Sequence, residues 1–229
     1  MADVSSIDYT RAFWGKELSR RALGYPSEFV VRFLAAGPRD ERPREGADIG
    51  FGSGHHLGLL MEFGYRAHGI DLLPEAVQRA RNLYQQWPLL GNLEVGDLCD
   101  LPWAEGSLDS VICYGVIFLK PIPAIKLDLA RLYALLKPGG RLLLNFRTPA
   151  NSIAGQGEDL GEGHYILDER AGGYAGSAYT FIDESTSRSL LKEAGFVIEN
   201  FERWDWWKNN MSECHSWWIV WAGKPEAAK

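Results

Sequence analysis

Asp48-Ile-Gly-Phe-Gly-Ser-Gly54 is the stretch from which the rest of the chain is read. Its glycines stand at alternate positions, 50, 52 and 54, and Asp48 precedes the first by two. A helical pattern, His56 to Phe63, follows and is closed by Gly64; a short strand pattern, Tyr65 to Ile70, then ends on Asp71. This is the order of a first β-α-β unit with a ligand at its turn. Without Cβ, the backbone turns tightly and a ligand can approach the main chain. The helix N-terminus offers unpaired N–H groups and a positive dipole end to a carboxylate or phosphate. Asp71, 21 positions after Gly50, stands where a second-strand carboxylate meets ribose hydroxyls.

A dinucleotide fingerprint starting at Gly50 requires glycine where this chain has His55, and the placement of Asp48 departs from it too. The stretch instead resembles motif I of the class I S-adenosylmethionine-dependent methyltransferases. Further stretches are similar to that family in the same order. Gly96-Asp97-Leu98 follows the third strand pattern, Leu93 to Val95. Leu101-Pro102-Trp103 leads through Gly106, Leu108 and Asp109 into an apolar strand ending near Tyr114, and Lys137-Pro-Gly-Gly140 precedes the apolar run Arg141 to Phe146. The resemblance covers roughly residues 45–146 and lies in the small-molecule, UbiE-like (methyltransferase type 11) branch. It departs at Arg44 to Ala47, a poor strand, and after Tyr114, where Phe118-Leu-Lys-Pro121 stands in place of a histidine.

The resemblance implies a Rossmann-like, seven-stranded, mostly parallel α/β sheet with helices on both faces and an antiparallel last strand. It implies S-adenosylmethionine as cofactor, held by Asp48, Gly50, Phe51, Gly52, Gly54, Asp71, Leu72, Asp97, Leu98 and Tyr114, with Asp97 on the adenine amino group. The implied reaction is SN2 transfer of the methyl group to an O or N of a small molecule, a sugar or secondary metabolite in character.

The whole chain reads as one domain, 1–229. Residues 1–36 form two helical patterns, Tyr9 to Trp14 and Ser27 to Leu34, expected as a lid; Tyr9 and Trp14 are candidate acceptor contacts. Residues 147–180 are glycine-rich, with His164, Tyr165, Tyr174 and Tyr179, and are expected as a substrate-side insertion because long loops in compact domains tend to be functional. A helix at Ser187 to Ala194 and strands at Phe196 to Phe201 and Ser216 to Trp221 complete residues 181–229. His164, ranked first, and His215 are the candidate general bases, ahead of His55 and His56; Tyr179 and Tyr165 are candidates to orient the acceptor. Six tryptophans fall between 204 and 221. Trp217, Trp218 and Trp221 read as sheet packing, whereas Trp206 and its neighbours read as an acceptor wall or a homodimer contact.

Net charge is −6 with no basic run, which argues against nucleic acid or an anionic membrane as partner. The Arg20–Arg21 pair is too small to reverse this. Three scattered cysteines without a CxxC pair indicate neither a disulfide framework nor a metal site and fit a cytoplasmic protein. The N-terminus, with Asp3 and Asp8, shows no signal peptide. Two rival readings stand beside the methyltransferase: a non-catalytic binder of the same cofactor, and an NAD-linked oxidoreductase.

Overall fold

The computed structural model describes residues 6–20, 24–38 and 44–226; Asp3, Arg21 and much of the linker before Arg44 lie outside the described residues. Among the described residues, six helices and ten strands follow one another. Helix α1 (Ser6–Arg20) and α2 (Glu28–Ala35) lead into β1 (Arg44–Ile49), α3 (His55–Glu62), β2 (Tyr65–Asp71), α4 (Pro74–Tyr84), β3 (Leu90–Val95) and β4 (Leu108–Cys113). Then come α5 (Ile122–Leu135), β5 (Leu136–Arg147), three short strands β6 (Gly157–Asp159), β7 (His164–Leu167) and β8 (Ala178–Thr180), and finally α6 (Glu184–Glu193), β9 (Val197–Lys208) and β10 (Glu213–Gly223).

The main sheet has seven strands in the order β3-β2-β1-β4-β5-β10-β9. β1 to β5 run parallel, and β10 is antiparallel to both β5 and β9. The order reverses direction between β1 and β4, the crevice where open α/β sheets bind ligands. One face of the sheet packs on α5 and α6 through Ile125, Leu129, Leu132, Leu190 and Leu191. The other packs on α2, α3 and α4 through Phe29, Leu57, Leu60, Val77 and Ala80. The spacing of Ile125, Leu129 and Leu132 is that of a single helical stripe, which explains why α5 forms where it does. α4 starts at Pro74, whose missing N–H costs nothing in a first turn. α6 starts at Asp183, whose carboxylate accepts from the Thr186 N–H at 2.7 Å.

Several boundaries differ from the sequence expectation. β1 is a full six-residue strand despite its poor local composition, because β2 and β4 pair with it on both sides. Lys137 to Gly140 does not stand apart from β5; the strand begins at Leu136, and its pairing with β4 shifts register between Leu108 and Ser110. β9 and β10 are twice the expected length and form a hairpin turned by Asn209, Asn210 and Met211, all at positive φ. Trp204 to Trp207 therefore lie inside a strand, not after it. The insertion is an ordered unit: β6, β7 and β8 pair as an antiparallel sheet, and a 3-10 stretch, Glu169–Tyr174, packs with it over Phe118 and Leu119. No helix among the described residues is long and apolar enough to cross a membrane.

Candidate active site

The glycine stretch bends from β1 into α3 with Gly50, Gly52 and Gly54 all at positive φ. Each glycine meets a different need. A Cβ at Gly50 would lie 2.4 Å from Val116, so close approach of the loop after β4 demands it. Gly54 caps α3 at φ 83° and faces Ala80 and Tyr84 of α4. A Cβ at Gly52 would meet nothing within 4 Å, because it would point into open space. That space is a cavity of about 510 Å³, within the range that holds a nucleoside-sized ligand.

Asp71 organises the loop. One carboxylate oxygen accepts from the Gly52 N–H at 2.7 Å and the other from the Leu73 N–H at 2.9 Å. Both bonds are charge-assisted and hold the backbone of the bend against the end of β2. Burial pushes the Asp71 carboxyl up, and these two N–H bonds oppose the shift. Asp71 lines the cavity, so it combines the expected ligand-facing position with a clamp on the loop.

Asp48 is placed differently. It is buried beneath the loop and does not line the cavity. One of its oxygens has no hydrogen-bond partner, and His56 Nδ1 lies 3.8 Å from it. Burial, reinforced by Asp71, raises its carboxyl well above the usual range. Burial and the adjacent His55 push the His56 imidazole down to about 3. His56 is therefore neutral near pH 7. Its Nε2 accepts from the Ser27 N–H at 3.2 Å, which leaves the proton on Nδ1, toward Asp48. This pairing ties the start of α2 to the start of α3.

Asp97, just after β3, lines the cavity with Leu72, Leu98 and Tyr114. It is engaged with Lys120, whose Nζ donates at 2.7 Å to both Asp97 and Asp128. Burial disfavours the Lys120 ammonium, but the two carboxylates outweigh it and raise its pKa. On the open side α1 supplies Ile7, Thr10, Arg11, Trp14, Glu17 and Leu18, one helical face laid over the cavity. Trp14 is thus on the lining face of α1 and Tyr9 is not.

The acceptor-side candidates stand apart from this cavity. His164, His215, Tyr179, Tyr165 and Trp206 do not line the cavity, whereas His55 and His56, ranked below the other histidines, do. His164 is buried between strands; its Nδ1 bonds Thr180 Oγ1 at 2.7 Å, and the Thr180 hydroxyl in turn donates to the Lys120 carbonyl. Burial lowers its pKa. The Arg147 guanidinium donates to His215 Nδ1, so His215 keeps its proton on Nε2 and donates it to Glu213. Its one lone pair is occupied. Burial pushes the Tyr179 phenol up to about 12, which keeps it protonated. Trp206 is 49% exposed and stacks on Trp204. Among the described residues no group of three or more His, Cys, Asp or Glu could hold a metal ion.

Sequence reading missed Gly115, Val116 and Lys120 as lining residues. It also missed Asn145, whose side-chain oxygen accepts from the Gly115 N–H at 2.7 Å and fixes the bend after β4. A signal was present for Asn145: a polar residue inside the apolar run Leu142 to Phe146 is buried only where it has a partner.

The family model described as a methyltransferase domain matches residues 47–144. A demethylmenaquinone methyltransferase of Deinococcus radiodurans is 31% identical over 159 residues, a match covering 67% of this chain and 65% of that protein, so the chain spans just under two thirds of that relative. Solved structures share the whole architecture. The 1,6-didemethyltoxoflavin-N1-methyltransferase of Burkholderia thailandensis, with 1,6-didemethyltoxoflavin and S-adenosylhomocysteine bound, superposes with a TM-score of 0.69 at 20% identity over 96% of this chain and 87% of that one. The magnesium protoporphyrin IX methyltransferase of Synechocystis PCC 6803, with S-adenosylmethionine bound, gives 0.68 at 19% identity over 98% and 99%. The matched segment runs from β1 through most of β5 and contains the glycine bend, its Asp71 clamp and Asp97. Residues 47–144 thus match the family of the methyltransferase domain, and the fold as a whole is that of solved S-adenosylmethionine-dependent methyltransferases.

Proposed function

We propose that this protein transfers a methyl group from S-adenosylmethionine to an O or N of a small, ring-bearing acceptor of the sugar or secondary-metabolite kind. The observation that carries the reading is the open space above Gly52, walled by the ends of β1, β2 and β4 and roofed by α1. Asp71, Gly50, Phe51, Gly52, Leu72, Asp97, Leu98 and Tyr114 would hold the cofactor, with Asp48 and Gly54 shaping the bend from behind. Bound there, S-adenosylmethionine supplies an electrophilic methyl carbon and a sulfur leaving group.

The protein's own part is position and dryness. The Asp71 clamp fixes the bend, Asn145 fixes the turn after β4, and α1 with Trp14 covers the cavity. In-line alignment of nucleophile and methyl carbon is the main lever, worth up to about 7–11 kcal/mol in favourable intramolecular models. No histidine outside the glycine bend reaches the cavity, which favours an acceptor that needs no base: an amine, or an oxygen already ionised. The names of the three relatives carry three different acceptors, so the acceptor of this chain is argued from its own site. The reading takes the chain as a single cytoplasmic domain with neither nucleic acid nor a membrane as partner. The half-exposed Trp206 and Trp207 are left for contact between two copies.

Calorimetric titration with S-adenosylmethionine and with NADH is the test. Binding of the first alone is expected; preference for NADH would remove the reading. Methyl transfer from the labelled cofactor to any member of an acceptor panel separates an enzyme from a non-catalytic binder.

A further inference from the structure

Arg147 ends β5 and is 5% exposed. It sits opposite Trp217 in the β5–β10 register, and strand alternation puts it on the same face as Asn145, which holds the cavity-lining Gly115. The guanidinium carbon lies 4.6 Å from the Tyr179 ring centre, 5.2 Å from those of Tyr174 and Trp217, and 5.3 Å from that of Phe118. Two of these rings come from the insertion, one from β10, and one from the loop after β4.

Among the described residues no carboxylate pairs with this cation. Its Nη1 donates to neutral His215 at 3.5 Å, and its Nε has no partner. Lys120, at the edge of the same cavity, shows the contrast: it too is largely buried, and two carboxylates meet it. A buried cation is costly unless it is paired, and ring faces compensate only in part. The ring cage therefore leaves one place in its balance, for an anion. Burial raises the pKa of the Tyr114 phenol at the cavity wall; the Ser27 hydrogen bond and, least of all, the Arg147 charge oppose the shift.

We propose that Arg147 is the acceptor-specificity residue, receiving a carboxylate carried on a planar ring that slides between the Tyr174 and Tyr179 side of the cage and the end of β4. This rests on the methyltransferase reading above. A guanidinium presents a flat fork that matches a carboxylate, and flanking rings select a planar carrier. Tyr174 closes the 3-10 stretch in which Gly172 breaks helical geometry, so it is the wall best able to yield.

The test uses the full chain loaded with S-adenosylhomocysteine and follows tryptophan fluorescence. Benzoate, 4-hydroxybenzoate and phenylacetate are each titrated beside their primary amides. At least one acid is expected to bind tenfold more tightly than its amide. Arg147→Gln should erase that preference while S-adenosylhomocysteine affinity stays within twofold, and Arg147→Lys should keep part of it. Equal affinity of acids and amides, no binding by any acid, or a preference that survives Arg147→Gln overturns the proposal. If Arg147→Gln does not fold, the wild-type acid-to-amide ratio and its reduction in Arg147→Lys decide. Failure of the wild-type protein to bind S-adenosylhomocysteine removes the methyltransferase reading instead, so the two failures are distinguishable.

Discussion

At the glycine end of the cavity, the walls are main chain and carboxylate. Gly50, Gly52 and Asp71 come from one continuous stretch of 22 residues, and the Asp71 bonds stay within one β-α-β unit and the turn that follows it. Outside the cavity lining, at the end of β5, rings surround a cation. Phe118, Arg147, Tyr174, Tyr179, His215 and Trp217 come from five separate segments and meet only through sheet register and the packing of the insertion. The first end recognises a constant ligand through backbone geometry, which depends on glycine and tolerates little change. The second is built of side chains, so it can change without disturbing the first.

The sharpest way to break this contrast is Gly52→Val. The new side chain has room in the protein and enters the cavity, so cofactor affinity should fall more than about 100-fold, more than a lost methylene contact costs. The positive φ adds strain of about 1–3 kcal/mol. Calorimetry showing unchanged S-adenosylmethionine binding would remove the loop from the site. Asp71→Ala comes next. It leaves the Gly52 and Leu73 N–H groups without their acceptor, and a hydrogen bond to a charged group contributes about 1.5–3 kcal/mol. Binding of the cofactor should weaken roughly tenfold or more, measured in the same way.

A smaller effect is expected at Asp48, and it depends on pH. Its folded-state pKa is raised, so between the unfolded value of about 3.9 and the folded value the native state holds the extra proton. Stability from this group is complete below about pH 4 and is lost as pH rises. Asp48→Asn removes the loss. The melting temperature of the ligand-free variant should therefore gain on wild type as pH is raised from 4 toward 8, and a gap that is flat or narrows would contradict the burial argument. The smallest effect belongs to Trp206→Ala, because the ring is half-exposed and outside the cavity. Cofactor affinity should stay within about twofold, a shift under 0.5 kcal/mol of the kind surface substitutions give. A tenfold loss would move Trp206 into the site.

Legibility followed the same division. The glycine spacing, Asp71 and the Gly96-Asp97-Leu98 turn could be read because loop geometry constrains neighbouring residues together. Strand period alone puts Trp217 and Trp221 on one sheet face and Trp218 on the other, and the two core clusters divide them that way. Asp48 misled because its acidity points to a ligand while its strand buries it under the bend. His164 and His215 could not be placed from sequence, because a histidine's surroundings are set by partners from other parts of the fold. Thr180 meets His164 Nδ1 from the neighbouring strand, Arg147 meets His215 Nδ1 from β5, and Glu213, two residues before His215, takes its Nε2.

What this sequence determined by itself was the alternation of strands and helices, the glycine bend and the carboxylates that end the neighbouring strands, since each depends on residues close along the chain. The tertiary structure alone decided which side chains face the cavity, which carboxylate Lys120 neutralises, and that Arg147 ends among four rings. Those outcomes depend on strand register and on how the insertion packs across the sheet, and a shift of one residue in pairing would have turned Arg147 to the opposite face.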